Sequence, residues 1–189
     1  MLGRRTGRAC LPLIGIVLLA QAACRRGGAE LYGWRAVTPG VELRGEKQPG
    51  PEGQTVLGLL YTVATGQDYA IERPMPANVG TPSRRYSIPL RRGPDGRWSG
   101  RPTLRVLGKS TRVLHLAVVL VDRQGLEHES ARTLLSGDWH ELNFDVFDPP
   151  LEDWHQVDLL RVVDRTGGLG GLGPVSLKLA GLPLEAPSR

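Results

Sequence analysis

Cysteine, aromatic side chains and long apolar runs are all scarce in this chain. Two cysteines in 189 residues cannot build a disulfide scaffold or a cysteine-ligated zinc site. Aromatic residues make up 5% of the chain, which is thin supply for a broad stacking platform. The main apolar run, Ala9 to Ala20, contains Pro12 and is short of the roughly 20 residues a spanning helix needs. No segment holds a 3.6-residue apolar period over three turns, so helices are at best short. Glycine and proline are abundant, at 25 and 15 residues, but without period. That excludes a collagen-like repeat and favours a turn-rich β protein. Hydrophobic residues, 40% of the chain and well spread, exclude a disordered chain. The length suits one ordinary domain with a real core.

The net charge of +5 invites a nucleic-acid reading, and its location removes it. Arg4, Arg5 and Arg8 lie in the first 23 residues, where no Asp or Glu occurs, leaving +2 on the remainder. Basic patches interleaved with aromatics, the footprint of nucleic-acid binders, are absent.

Residues 1–23 read as an export signal: a positive start, the apolar run, then small residues. Two cleavage readings compete. Ala20-Gln21-Ala22 is an A-x-A site, whereas Ala22-Ala23-Cys24 resembles the end of a bacterial lipobox. The second is preferred, because it explains a Cys directly after the small pair. It makes Cys24 the lipidation site and residues 24–30 a tether to a membrane of the bacterial envelope. A secreted or periplasmic soluble protein is the alternative. Lipidated at Cys24, the mature chain has no cysteine left for a disulfide and must be held by its core.

Residues 31–183 read as strands punctuated by turns, with 184–189 as a tail. Val56–Ala64 alternates, placing Leu57, Leu59, Tyr61 and Val63 on one face. Leu104 and Val106 flank an outward Arg105. Val113–Val121 is apolar at nearly every position, as in a central strand covered on both faces. Asp122-Arg123-Gln124-Gly125 supplies a turn, and Leu126–Leu135 returns as an edge with Glu127, Glu129 and Arg132 exposed. Trp139–Phe147 alternates with Leu142, Phe144 and Val146 inward. Leu159–Val163 and Val175–Leu182 bring the count to about eight to ten antiparallel strands. The expected class is all-β, a sandwich or barrel.

The order of YTVATGQDYAIERPMP, RWSGRPTLRVLGKS, LHLAVVLVDRQGLEHE, SGDWHELNFDVFDP, DLLRVVDR and GLGPVSLKLAGL resembles one family over residues 31 to 183. It is the galactose-binding-like jelly roll, in the branch of carbohydrate-binding modules and complex I intermediate-associated proteins. The resemblance implies a jelly-roll β-sandwich that binds a glycan or docks a protein. It also implies framework roles for Trp98 and Trp139. The family's closing strand commonly carries an acid that helps hold calcium. Here that strand reads Val175-Ser176-Leu177-Lys178-Leu179, and Lys178 repels a cation that needs several oxygen ligands.

Motifs for chemistry are few. Gly168-Leu169-Gly170-Gly171-Leu172-Gly173 spells G-x-G-x-x-G, but Pro174 and an alternating strand follow where the dinucleotide fingerprint needs a helix. A turn is expected. His128 and His140 fall on neighbouring strands in this reading, facing solvent, and His115 is read as a satisfied core group. No G-x-S-x-G or H-E-x-x-H occurs, and the aspartates fall mostly at turns. The expectation is a non-catalytic domain without metal or cofactor. Its partner is a glycan or other cell-surface polymer, alternatively an envelope protein; a hydrolase comes last. Tyr69, Tyr86, Trp154 and His155 are the candidate ligand-binding residues, with Trp154 and His155 at the tip of the Pro149–Val157 loop.

Overall fold

The computed structural model describes residues 30–75, 91–92, 98–99, 104–151 and 157–182. Cys24, Tyr86, Trp154 and His155 lie outside these described residues. The elements in chain order are β1 (Arg35–Ala36), β2 (Glu42–Gly45), β3 (Val56–Val63), β4 (Tyr69–Pro74), β5 (Arg91–Arg92) and β6 (Trp98–Ser99). They continue with β7 (Leu104–Asp122), β8 (Glu127–Ser130), β9 (Thr133–Phe144), β10 (Phe147–Asp148), β11 (Val157–Asp164) and β12 (Gly173–Ala180). Pairing between strands is antiparallel throughout.

The architecture turns on β7. Its 19 residues would run about 60 Å if straight, so it serves two sheets in succession. Leu107–Ser110 pairs with β12, and Leu116–Asp122 pairs with β11. On its other edge β9 and then β8 follow it. One sheet is therefore β2-β3-β12-β7-β9, and the other is β1-β4-β11-β7-β8-β10. Register shifts between Gly108 and Leu114 mark where β7 and β9 turn the corner, as bulges do where a strand changes sheet. Among the described residues, ten strands belong to this assembly, and β5 and β6 pair with each other. The two sheets enclose one core and make a jelly-roll β-sandwich.

Alternation explains the core. Leu57, Leu59, Tyr61 and Val63 all face inward, as do Leu104, Val106, Leu142 and Phe144. Leu116 to Leu120 is buried on both faces. Its outer side packs Val119 with Ala70 and Val163, bordered by a ladder in which Glu72 takes Arg35 and Arg161 at 2.6 and 3.0 Å, and Arg161 also reaches Glu127.

Four expectations change. Val113 is exposed, because it sits on the corner between the two pairing halves of β7. Val146 is exposed too: β9 ends at Phe144, and the break puts Phe147 inward instead. His115 lies on the face opposite the core and is half-buried. His128 is buried rather than solvent-facing, since β8 pairs in a register that sets His128 opposite core residue Leu120.

The register places the connections. β3 ends and β4 and β12 begin at one end of the sandwich, where β11 also ends. Segments 37–41, 64–68, 111–115 and 165–172 all cross between the sheets there. The 122–126 turn, segment 46–55 and the chain leaving β12 lie at the opposite end.

Candidate functional site: a groove at the crossing end

Where β3 meets β4, two tyrosines stack. Tyr61 and Tyr69 both occupy inward positions of their strands, and their ring centroids lie 4.8 Å apart at 26°. Neither oxygen is wasted. The Tyr61 hydroxyl donates to Asp164 Oδ2 at 2.9 Å, and the Tyr69 oxygen accepts the Ala64 amide at 3.0 Å. Asp164 Oδ1 accepts the Thr166 amide at 2.9 Å and the Thr166 hydroxyl. The Thr166 oxygen in turn accepts the His115 amide at 2.9 Å. Burial, then the adjacent Asp164 charge, push the Tyr61 phenol far above its ordinary range, because both penalise a phenolate.

This network holds the glycine-rich turn. Thr166–Leu169 is a 3-10 turn, Gly170 closes it at φ 81°, and β12 starts at Gly173. The G-x-G-x-x-G stretch is thus a turn leading into a strand, as expected from Pro174. Gly167 is fixed by contact: a Cβ there would lie 2.1 Å from the Gln67 carbonyl oxygen and 2.6 Å from that of Ala64. Only glycine lets these two crossings touch.

Above the tyrosine pair lies an open groove of about 630 Å³. Pro39, Leu60 and Pro174 supply apolar surface, while Glu42, Thr62 and Gln67 supply polar groups. Arg44 holds both oxygens of Glu42, at 3.0 and 3.1 Å. Its hydrogen bonds keep the Glu42 carboxyl below the usual carboxylate range. Hydrogen-bonding groups beside apolar walls can hold a ligand and orient it. Among the described residues, the lining contains no serine, cysteine or histidine.

Of the expected site residues, Tyr69 alone falls within the described residues. It is buried, and its ring meets the groove from below rather than standing exposed. His128 and His140 are not brought together. They face Leu120 and Gly108, far apart along β7 and in different sheets. Among the described residues, no three of His, Cys, Asp and Glu gather where they could hold a metal ion. Lys178 pairs with Glu46 at 2.8 Å, whose carboxylate lies over Gly58, 2.6 Å from where a Cβ would stand.

Asp164 and Glu42 escaped the sequence reading. For Asp164 a signal existed: Leu160, Val162 and Asp164 share one face of a strand, and a carboxylate on a core face demands donors. The groove beside Glu42 is lined from other strands, by Leu60, Thr62 and Pro174 among others, which no local pattern shows.

No family model and no curated protein matches this chain. Solved structures do resemble it loosely. A family 11 carbohydrate-binding module of a cellulosomal cellulase of Clostridium thermocellum is 12% identical, covers 84% of this chain and 93% of its own, and has a TM-score of 0.47. The C-terminal family 22 carbohydrate-binding module of Xyn10B of the same organism is 13% identical over 80% of this chain and 86% of its own, with a TM-score of 0.43. A family 29 carbohydrate-binding module is 14% identical over 78% of this chain and 80% of its own, at a TM-score of 0.40.

Proposed function

We propose that this chain is a non-catalytic binding module of an envelope lipoprotein, tethered through Cys24, whose ligand is a glycan or another cell-surface polymer. The observation that carries the reading is the groove itself. It is open, and it pairs apolar walls with a carboxylate, an amide and a hydroxyl. Sugars present both kinds of surface at once: C–H faces and hydroxyls. Its floor is held still by the Tyr61–Asp164–Thr166 bonds, so little ordering cost falls on binding.

An envelope protein as partner is the second reading.

A glycan array probed with the purified chain tests the proposal, with Glu42→Ala and Gln67→Ala as controls. Binding to one sugar class is expected, weakened in each variant by about tenfold, the effect of losing one hydrogen bond to a charged or polar group. Sugar binding that both variants leave intact would move the site elsewhere. A blank array from folded protein would favour the protein partner.

A further inference from the structure

We infer that the crossing end of the sandwich is a membrane-contacting rim, which seats the domain on an anionic phospholipid surface. The inference goes beyond ligand binding in the groove and rests on the N-terminal membrane attachment proposed above.

Four aliphatic side chains stand at least half exposed at this end: Val113 at 57%, Leu134 at 61%, Leu169 at 55% and Leu172 at 50%. They come from three segments that the backbone ties together. The Arg165 amide donates to the His115 carbonyl at 2.8 Å. The His115 amide donates to Thr166 Oγ1 at 2.9 Å, the Arg112 guanidinium donates to the Leu172 carbonyl, and Leu134 pairs with His115. Leu169 and Leu172 project from a turn whose other residues are nearly all glycine. Arg112 and Arg132 flank the cluster, and neither has a carboxylate partner among the described residues.

The composition favours lipid over protein. Energetically dominant protein contacts are enriched in Trp, Tyr and Arg and poor in Leu and Val. Aliphatic side chains on a strand corner and a turn, bordered by arginines that have no carboxylate partner among the described residues, suit the boundary between headgroups and acyl chains of an anionic bilayer.

The path of the chain points the same way. Leu31 and Trp34 exchange backbone hydrogen bonds of 2.8 and 2.9 Å around Tyr32 and Gly33, both at positive φ. Glu30 therefore enters antiparallel to β1. β1 itself runs toward the crossing end, pairing Arg35 with Glu72, then Ala36 with Ile71, then Val37 with Ala70. Glu30 thus stands nearer the leucine rim than Leu31 does. Seven residues from Cys24 to Leu31 reach about 25 Å when extended, and the eight residues of β3 cover a similar ~26 Å along the sandwich. A lipid on Cys24 is within reach of the rim. Seated so, the groove opens beside the membrane surface.

Hydrogen exchange on the full, membrane-attached protein tests this. The chain is reconstituted into vesicles of phosphatidylcholine with phosphatidylglycerol, or of phosphatidylcholine alone. Amides 111–115 and 165–173 are expected to exchange several-fold more slowly in the anionic vesicles, with β3 unchanged as the folding control. Leu169→Ser with Leu172→Ser should abolish that protection, and Arg112→Gln with Arg132→Gln should abolish its dependence on phosphatidylglycerol. Protein that floats with vesicles yet shows no lipid-dependent protection overturns the rim and leaves the anchor standing. Protein that does not float overturns both. A photo-cross-linker at position 169 that captures protein rather than lipid in the native envelope overturns the rim in favour of a protein partner.

Discussion

The two ends of the sandwich solve one problem with the same residue and differ in what completes it. At the crossing end Asp164 closes β11; at the opposite end Asp122 closes β7. Both carboxylates are buried, and each organises the turn that follows it. Asp164 receives the Thr166 amide, and Asp122 Oδ1 receives the Gln124 and Leu126 amides at 2.8 and 2.9 Å. The second oxygens differ. Asp164 Oδ2 takes the hydroxyl of Tyr61, a neutral donor. Asp122 Oδ2 faces His128 Nε2 at 3.5 Å, a buried nitrogen with no hydrogen-bond partner among the described residues. The other ring nitrogen, Nδ1, lies 2.8 Å from the Pro149 carbonyl. A carbonyl only accepts, so Nδ1 carries the proton. One end is therefore closed by saturated hydrogen bonding, and the other by a carboxylate set against an imidazole ring. The lesson is that a buried aspartate stiffens a turn whenever amides reach it, while its remaining oxygen is free to meet a different group at each end.

The contrast can be broken most forcibly at Asp164. Asp164→Ala leaves the Tyr61 hydroxyl and the donors of Thr166 without an acceptor, and the expected loss is about 3 kcal/mol, read by urea denaturation. A loss below about 1 kcal/mol would mean that the crossing end is not held by this carboxylate. Tyr61→Phe removes one donor and is expected to cost about 1 kcal/mol. It also sharpens the comparison at high pH. Because the folded phenol titrates above its unfolded value, its stabilising effect is full below the ordinary tyrosine range and is lost as pH rises through and beyond it. Melting temperatures of the phenylalanine variant should fall less steeply in alkali than those of the wild type.

The smallest effect belongs to the opposite end. The Leu126 amide first, then Gln124 and His128, hold the Asp122 carboxyl below its usual range. Its contribution is present above the ordinary carboxylate range and disappears as pH falls through the lowered value. Asp122→Asn keeps an acceptor for the two amides but removes that charge. The variant should resemble the wild type near acid unfolding and be slightly weaker near neutrality, as thermal melts across pH would show. Equal curves at every pH would remove the distinction between the ends.

Much of this fold was legible in advance. Alternation in Val56–Val63 and around Leu142 and Phe144 assigned inward faces correctly, because a strand's side-chain period is 2 wherever one face is buried. Asp122 to Gly125 read as a turn, and Gly125 takes φ 82°. Pro174 ruled out the helix that a nucleotide fingerprint needs. The errors fell where parity breaks. Val146 reads inward only if β9 continues through it, and Val113 reads as covered only if β7 stays in one sheet. His128 looked exposed because a lone polar residue among glutamates gives no local sign of which parity is buried.

The amino-acid sequence by itself determined that this is a cysteine-poor, turn-rich all-β domain, since composition and short-range periodicity act within a few residues. Tertiary structure alone decided that Tyr61 meets Asp164 across 103 positions, that Gly167 touches the 64–67 crossing, and that the groove and the exposed leucines share one end. Those outcomes depend on the register in which β7 is divided between two sheets, and register is set by the packing of the whole core rather than by any one segment.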